Sequence, residues 1–343
     1  MNFASDNAYG AAPEMLEALA AASAGTAASY GEDWWTGRLQ TEMSRVFERP
    51  VAAYPVITGT AANALALATI VPAHGAIFCH RESHIITDEC GAPEFFTHGA
   101  KVVPIEAHNG RLAPDAIEES LSQFVEGSVH HPQPAAVSIA QASEMGLCYT
   151  TGEIGAISSL AKPRRLKLHM DGARLANAVA HLGCTPAEAT WRAGVDVLSF
   201  GATKNGALGA EAVVFFTAED ARDFEYRRKK SGHLLSKMRF VSAQLLCALE
   251  QNRWLAWAAR ANALAARLAR GLAEIRSIEV AYPIEANLIF AFMPDAMAAR
   301  LRAEGANFGD WAPSRGGRTL VRLVTSFMTP ESDIERLIAI ARG

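Results

Sequence analysis

Three polar segments of this chain gather reactive residue types, and each directly follows an apolar run. Phe200-Gly201-Ala202-Thr203-Lys204-Asn205-Gly206 sets one lysine among small residues after the run Val195–Phe200. Partial desolvation there favours a neutral, nucleophilic amine, although a surface-loop lysine would have the same neighbours in sequence. His169-Met170-Asp171-Gly172-Ala173-Arg174 puts a carboxylate at the end of Leu166–Met170. A buried carboxylate needs a cation or donor; a protonated pyridine nitrogen is one such partner and Arg174 is another. Thr58-Gly59-Thr60-Ala61-Ala62-Asn63 follows Ala53–Ile57 and opens a helical pattern. Its hydroxyls and free helical N–H groups suit a phosphate, or equally a plain capped turn. A pyridoxal-phosphate site requires an anion cradle, an acid and a reactive amine, and these arise in that order along the chain.

The chain around these segments alternates between two patterns. Apolar, β-branched runs at Ala53–Ile57, Ala76–Cys79, Val102–Ile105, Ala136–Ala140, Leu166–Met170, Val195–Phe200 and Ala212–Phe216 read as strands. Helical patterns at Ala61–Val71, Pro114–Glu126, Thr151–Ala161 and Gly172–Leu182 lie between several of them. The alternation predicts an α/β domain with a mostly parallel sheet, whose ligands sit beyond the carboxyl ends of the strands. From about Ala218 longer Ala- and Leu-rich helices take over, followed by short strands at Val280–Pro283, Asn287–Ala291 and Thr319–Val324. The division expected is a large α/β domain over residues 1–245 and a smaller C-terminal α+β domain over 246–343.

Composition removes other classes. The formal net charge is −4, and no extended basic run suggests a nucleic-acid binder. The basic cluster Arg227–Lys230 follows an acidic stretch and reads as a solvated face or an anion contact at a subunit boundary. Five scattered cysteines without metal-site spacing point to reduced thiols, a cytoplasmic protein and no metal. Neither a signal peptide nor a membrane span is expected. A dinucleotide-binding oxidoreductase would need a Gly-x-Gly-x-x-Gly turn after an early strand, which is lacking.

Across nearly its whole length the chain resembles the low-specificity threonine aldolases, fold-type I pyridoxal-phosphate enzymes. Matching segments are Phe3-Ala4-Ser5-Asp6-Asn7, Tyr30-Gly31-Glu32-Asp33, Thr58–Asn63, Ser83-His84-Ile85 running into Glu89–Pro93, Val129-His130, His169–Arg174, Thr203–Gly206 and Val321-Arg322-Leu323. The resemblance implies that Lys204 bonds to the cofactor and that Asp171 keeps its ring nitrogen protonated. His84 would stack on the ring, and Gly59 and Thr60 would bind its phosphate. Ser5, Arg174 and Arg322 would gather the substrate carboxylate, with Arg174 also near the cofactor and His130 near the substrate hydroxyl. Tyr30, and Arg239 toward the cofactor phosphate, would come from a neighbouring subunit of a homo-oligomer, a dimer or dimer of dimers. Two departures stand out: Asn205-Gly206 follows the lysine where many members have Gly-Leu, and His130-His131 is a doublet. The implied reaction is retro-aldol cleavage of β-hydroxy-α-amino acids, L-threonine and L-allo-threonine among them, to glycine and an aldehyde. Aminotransferases and β-eliminating lyases share the fold and are the alternatives.

Overall fold

The computed structural model describes all 343 residues, arranged around two sheets. The larger has seven strands: β1 (Ala52–Val56), β2 (Gly75–His80), β3 (Lys101–Ile105), β4 (Gln133–Ala140), β5 (Lys167–Gly172), β6 (Val197–Gly201) and β7 (Glu211–Phe215). Their order is β1-β7-β6-β5-β4-β2-β3. β3, β2, β4, β5 and β6 are parallel, whereas β7 is antiparallel to both neighbours, so only β7 runs against the rest. Every residue of β2, β6 and β7 is buried, which explains why these strands read as unbroken apolar runs.

Helices cover this sheet: α1 (Pro13–Ser23), α2 (Trp34–Val46), α3 (Gly59–Ile70), α4 (His84–Thr87), α5 (Ala92–Phe96), α6 (Pro114–Leu121), α7 (Thr151–Ala161), α8 (Leu175–Leu182), α9 (Phe224–Lys230), α10 (Arg239–Leu249) and α11 (Arg253–Ala273). Side chains fix several starts. Thr58 Oγ1 accepts from Ala61 N at 3.1 Å at the head of α3, and Thr150 and Glu153 cap α7 reciprocally. α3 is apolar on all sides because it is enclosed: Ala61 through Ala68 are all buried.

The smaller unit pairs β8 (Glu279–Val280), β9 (Leu288–Pro294), β10 (Gly309–Arg315) and β11 (Arg318–Val324) in the order β10-β11-β9-β8, all antiparallel, with α12 (Asp295–Ala303) and α13 (Glu331–Arg342). β10 has no counterpart among the expected strands; its sequence Gly-Asp-Trp-Ala-Pro-Ser-Arg is polar, and it lies at the sheet edge where a proline is tolerated. The expected boundary at 245/246 falls inside α10, whose buried residues through Leu249 belong to the large core. The change of core occurs within α11: Trp254 and Ala258 pack with the large sheet, Leu264 to Leu272 with the small one. Phe3 also packs in the small core, so the N-terminus crosses to that unit. No helix is long and apolar enough to cross a membrane.

Candidate active site

The carboxyl ends of β1, β5 and β6 open onto one cavity of about 390 Å³. Its walls include Thr58, Gly59 and Thr60 after β1, Asp171 and Ala173 at β5, Thr203 and Lys204 after β6, and His84 at the head of α4. Two glycines let β5 and β6 close together. A Cβ on Gly172 would lie 2.6 Å from Leu198 Cδ1, and one on Gly201 would lie 2.6 Å from Ala173 Cα. Segments separated widely in sequence thus meet because their strands point the same way.

Asp171 is buried, and both its oxygens are held. Ala173 N donates to Oδ1 at 2.9 Å and Asn63 Nδ2 to Oδ2 at 2.9 Å. Burial alone would raise its carboxyl, but the Lys204 charge and these donors keep it below the usual carboxylate range. Arg174 is not its partner. That guanidinium is buried and grips Asp6 instead, Nε to Oδ2 at 2.9 Å and Nη2 to Oδ1 at 3.1 Å. Asn287 Nδ2 adds a third donor to Asp6 at 3.1 Å.

His84 Nδ1 lies 2.8 Å from Glu89 Oε1, and Asn63 Nδ2 donates to the same oxygen at 2.8 Å. The Glu89 contact raises the His84 pKa above its ordinary value although burial opposes it. Across the cavity Glu211 is fully buried on β7, accepting from Thr203 N at 3.4 Å. Burial pushes its carboxyl up to about 7, against the Thr203 donors and the Lys204 charge. At the helix end, the Gly59 and Thr60 N–H groups precede the first intrahelical bond, and a Cβ on Gly59 would meet no atom within 4 Å. An amine, an ionised buried carboxylate, an imidazole face and an open helix N-terminus fit pyridoxal phosphate by the chemistry of each donor.

The remaining expected residues lie apart from these walls. Ser5 caps the first turn, its Oγ accepting from Asn7 N at 3.1 Å beside the Asp6–Arg174 pair, and Asn7 is the neighbour that reaches the cavity. Arg174 has its Nε and Nη2 engaged with Asp6, which leaves Nη1 free of a hydrogen bond within the chain. Arg322, on β11, has no salt-bridge partner and stacks 5.3 Å from the Trp311 ring centre. Burial pushes its pKa down, and Arg174 nearby repels it further. His130 does not line the cavity of its own chain. It is exposed in the loop that enters β4, at the amino end of the sheet, while the cavity is at the carboxyl end. Tyr30 is half-exposed with positive φ, its ring 4.3 Å from Lys229 Nζ. Arg239 heads α10 with its Nε buried and unpaired. Neither lines the cavity of its own chain.

Sequence reasoning assigned no role to Asn63, Glu89, Asp6 or Glu211. A glutamate opening the buried run Glu-Ala-Val-Val-Phe was a readable signal for Glu211; Asp6 beside an expected anion site was another.

A sequence profile of the β-eliminating lyase family matches residues 2–296. Low-specificity L-threonine aldolases of Pseudomonas sp. (strain NCIMB 10558) and Pseudomonas aeruginosa are 42% and 40% identical; the matches cover 99% of this chain and 97% and 96% of theirs. The solved structure of a Leishmania major threonine aldolase superposes with a TM-score of 0.94 at 28% identity, covering 99% of this chain and 98% of that one.

Proposed function

Because the chain belongs to the β-eliminating lyase family, beside the low-specificity L-threonine aldolases, we propose that it cleaves L-threonine, L-allo-threonine and related β-hydroxy-α-amino acids to glycine and an aldehyde. Its cofactor is pyridoxal 5′-phosphate, and its fold is the fold-type I fold of such enzymes. The observation that carries the reading is the convergence of Lys204, Asp171, His84 and the Gly59-Thr60 helix end on one cavity.

In this reading Lys204 bonds to the cofactor, Asp171 meets its ring nitrogen, His84 covers its face, and Gly59 and Thr60 hold its phosphate. When bound, pyridoxal phosphate supplies an electron sink for the pair released as the Cα–Cβ bond breaks. The protein's own part is binding and proton handling. Arg322 offers a planar two-pronged donor to the substrate carboxylate, which a lysine cannot imitate. Arg174, braced by Asp6, keeps Nη1 for the same group. His84 takes the hydroxyl proton, a role worth about 10²–10⁴-fold for a well-placed base. With only histidines as candidates to hold the hydroxyl, its contacts can come from either side, which supports cleavage of both β-epimers. Arg322 and Arg174 together fix the L configuration at the α-carbon, so D-threonine is expected to be inert.

The assembly belongs to the same proposal: a homo-oligomer, a dimer or dimer of dimers, in which Tyr30 and Arg239 complete a neighbour's site. Support comes from Arg239 Nε, buried without a partner, and from Tyr30, exposed on the adjoining surface. Five cysteines with no disulfide among them fit a reducing compartment such as the cytoplasm. The deciding experiment is a panel of β-hydroxy amino acids of both β-configurations scored for glycine and aldehyde, with sedimentation of the same protein. Keto-acid formation in place of aldehyde would favour the aminotransferase or β-eliminating-lyase alternative, and a fully active monomer would remove Tyr30 and Arg239 from the site.

A further inference from the structure

We propose that Glu89 is a positioning residue for His84: its carboxylate fixes the Nδ1–H form of the ring and, through Asn63, ties that ring to Asp171, so that the Nε2 lone pair faces the substrate hydroxyl. The geometry is a chain of short contacts across three elements. Glu89, in the turn between α4 and α5, is only 3% exposed. Its Oε1 accepts from His84 Nδ1 and from Asn63 Nδ2, each at 2.8 Å. The second proton of Asn63 Nδ2 goes to Asp171 Oδ2 at 2.9 Å. One amide nitrogen therefore spans the carboxylate behind His84 and the carboxylate at the end of β5.

No other hydrogen bond holds the ring. Ser83, which caps α4, makes no side-chain bond there, and the His84 side chain is 30% exposed on its cavity side. Without Glu89 the ring could rotate and present either nitrogen. The charged groups acting on it are Glu89, Asp171 from β5 and Lys204 from the turn after β6; the first two favour imidazolium and the lysine opposes it. Glu89 itself is pushed up by burial, and the donors His84 and Asn63 act against that. Glu89 Oε2 and Asn63 Oδ1 are buried without partners, so this pair is held by Oε1 and Nδ2 alone.

Protons balance over the step. Before reaction the ring is neutral, with its proton on Nδ1 toward the Glu89 carboxylate. The hydroxyl O–H bond breaks, an Nε2–H bond forms, and the new imidazolium charge lies against Glu89. That proton leaves Nε2 for water as product departs. A carboxylate orienting a histidine base in this way also stabilises the charge the base acquires. The step it serves rests on the aldol reading above; the contact itself does not.

The test uses cofactor-free protein first. Diethyl pyrocarbonate acylates neutral imidazole, so the rate at His84, followed by peptide mass, has a pH midpoint set by that ring. In Glu89→Gln the amide oxygen can still accept from Nδ1, but the charge is gone, and the midpoint is expected at lower pH than in the wild type. Glu89→Asp keeps the charge but withdraws it by one methylene, and a lower midpoint is expected there too. In cofactor-loaded enzyme the limb of the kcat/KM profile belonging to His84 should move the same way. Identical midpoints in the wild type and in whichever variant folds would overturn the proposal. Shifted midpoints in a protein that releases no aldehyde would keep the Glu89 role in orienting His84 and sink the aldol reading instead.

Discussion

The two ends of the large sheet carry similar residue types in opposite circumstances. At the carboxyl end, His84, Asp171 and Glu89 are enclosed and tied to one another through Asn63. At the amino end, the doublet His130-His131 lies in an exposed loop beside Val129, which is 94% exposed. An imidazole with a carboxylate at its back, partly out of solvent, is shifted and oriented. Strand direction, not residue type, separates the two. In a parallel sheet every strand's carboxyl end falls on the same edge, so the turns leaving β5 and β6 converge there. The loop entering β4 is carried to the far edge.

The largest effect expected at the carboxyl end comes from removing its amine. Lys204→Ala is expected to abolish glycine release and the borohydride-reducible bond between protein and cofactor; a reducible bond in that variant would exclude Lys204. Asp171→Asn is expected to retain cofactor but lose about 10²–10³-fold in kcat, the usual scale for a preorganised charge in an enclosed site. Near-normal turnover would make Asp171 a structural residue.

Glu211 extends the contrast between enclosed and exposed groups to stability. Its folded pKa of about 7 lies above the ordinary glutamate value of 4.5. The folded state therefore holds a proton that the unfolded chain gives up, so stability falls as pH rises from 4.5 to 7. Glu211→Gln removes that dependence. By pH 8 the cofactor-free variant should have gained, relative to wild type and to pH 4, about 3 kcal/mol of unfolding free energy. Parallel denaturation curves for the two proteins across that range would show that Glu211 is ionised throughout.

Arg322→Lys is expected to lower kcat/KM at least about tenfold, because a point charge replaces a fork. Unchanged efficiency would take Arg322 out of the carboxylate site. The smallest effect belongs to the amino end: His130→Phe should leave kcat/KM for both β-epimers within about twofold, the range of an exposed substitution far from any site. A change in the epimer ratio would contradict the separation of the two ends.

Much of the fold was legible in the residues themselves. The seven strands of the large sheet emerge from short apolar runs, and in β2, β6 and β7 burial on both faces leaves no alternation to confuse the reading. The lysine, the aspartate and the helix N-terminus were recognisable because each directly succeeds such a run, where parallel strands deliver their loops to one edge. Other features had no local signature. β7 reverses direction inside the sheet although its sequence, Glu-Ala-Val-Val-Phe, resembles that of its parallel neighbours. β10 is polar because an edge strand needs only hydrogen bonds on one side. The partner of Arg174 departs furthest from expectation: Asp6 lies 168 positions away, while Asp171 lies three. Asp171 already has Ala173 N and Asn63 Nδ2 as donors and the Lys204 charge acting on it, and the N-terminal segment folds Asp6 against the guanidinium. Which charge meets which depends on where chain segments cross, and sequence proximity on a strand end does not decide that. The position of His130 follows from the same cause at the other end of the sheet. Its flanking residues fitted a pattern, but only the direction of β4 could say on which edge of the sheet it would lie.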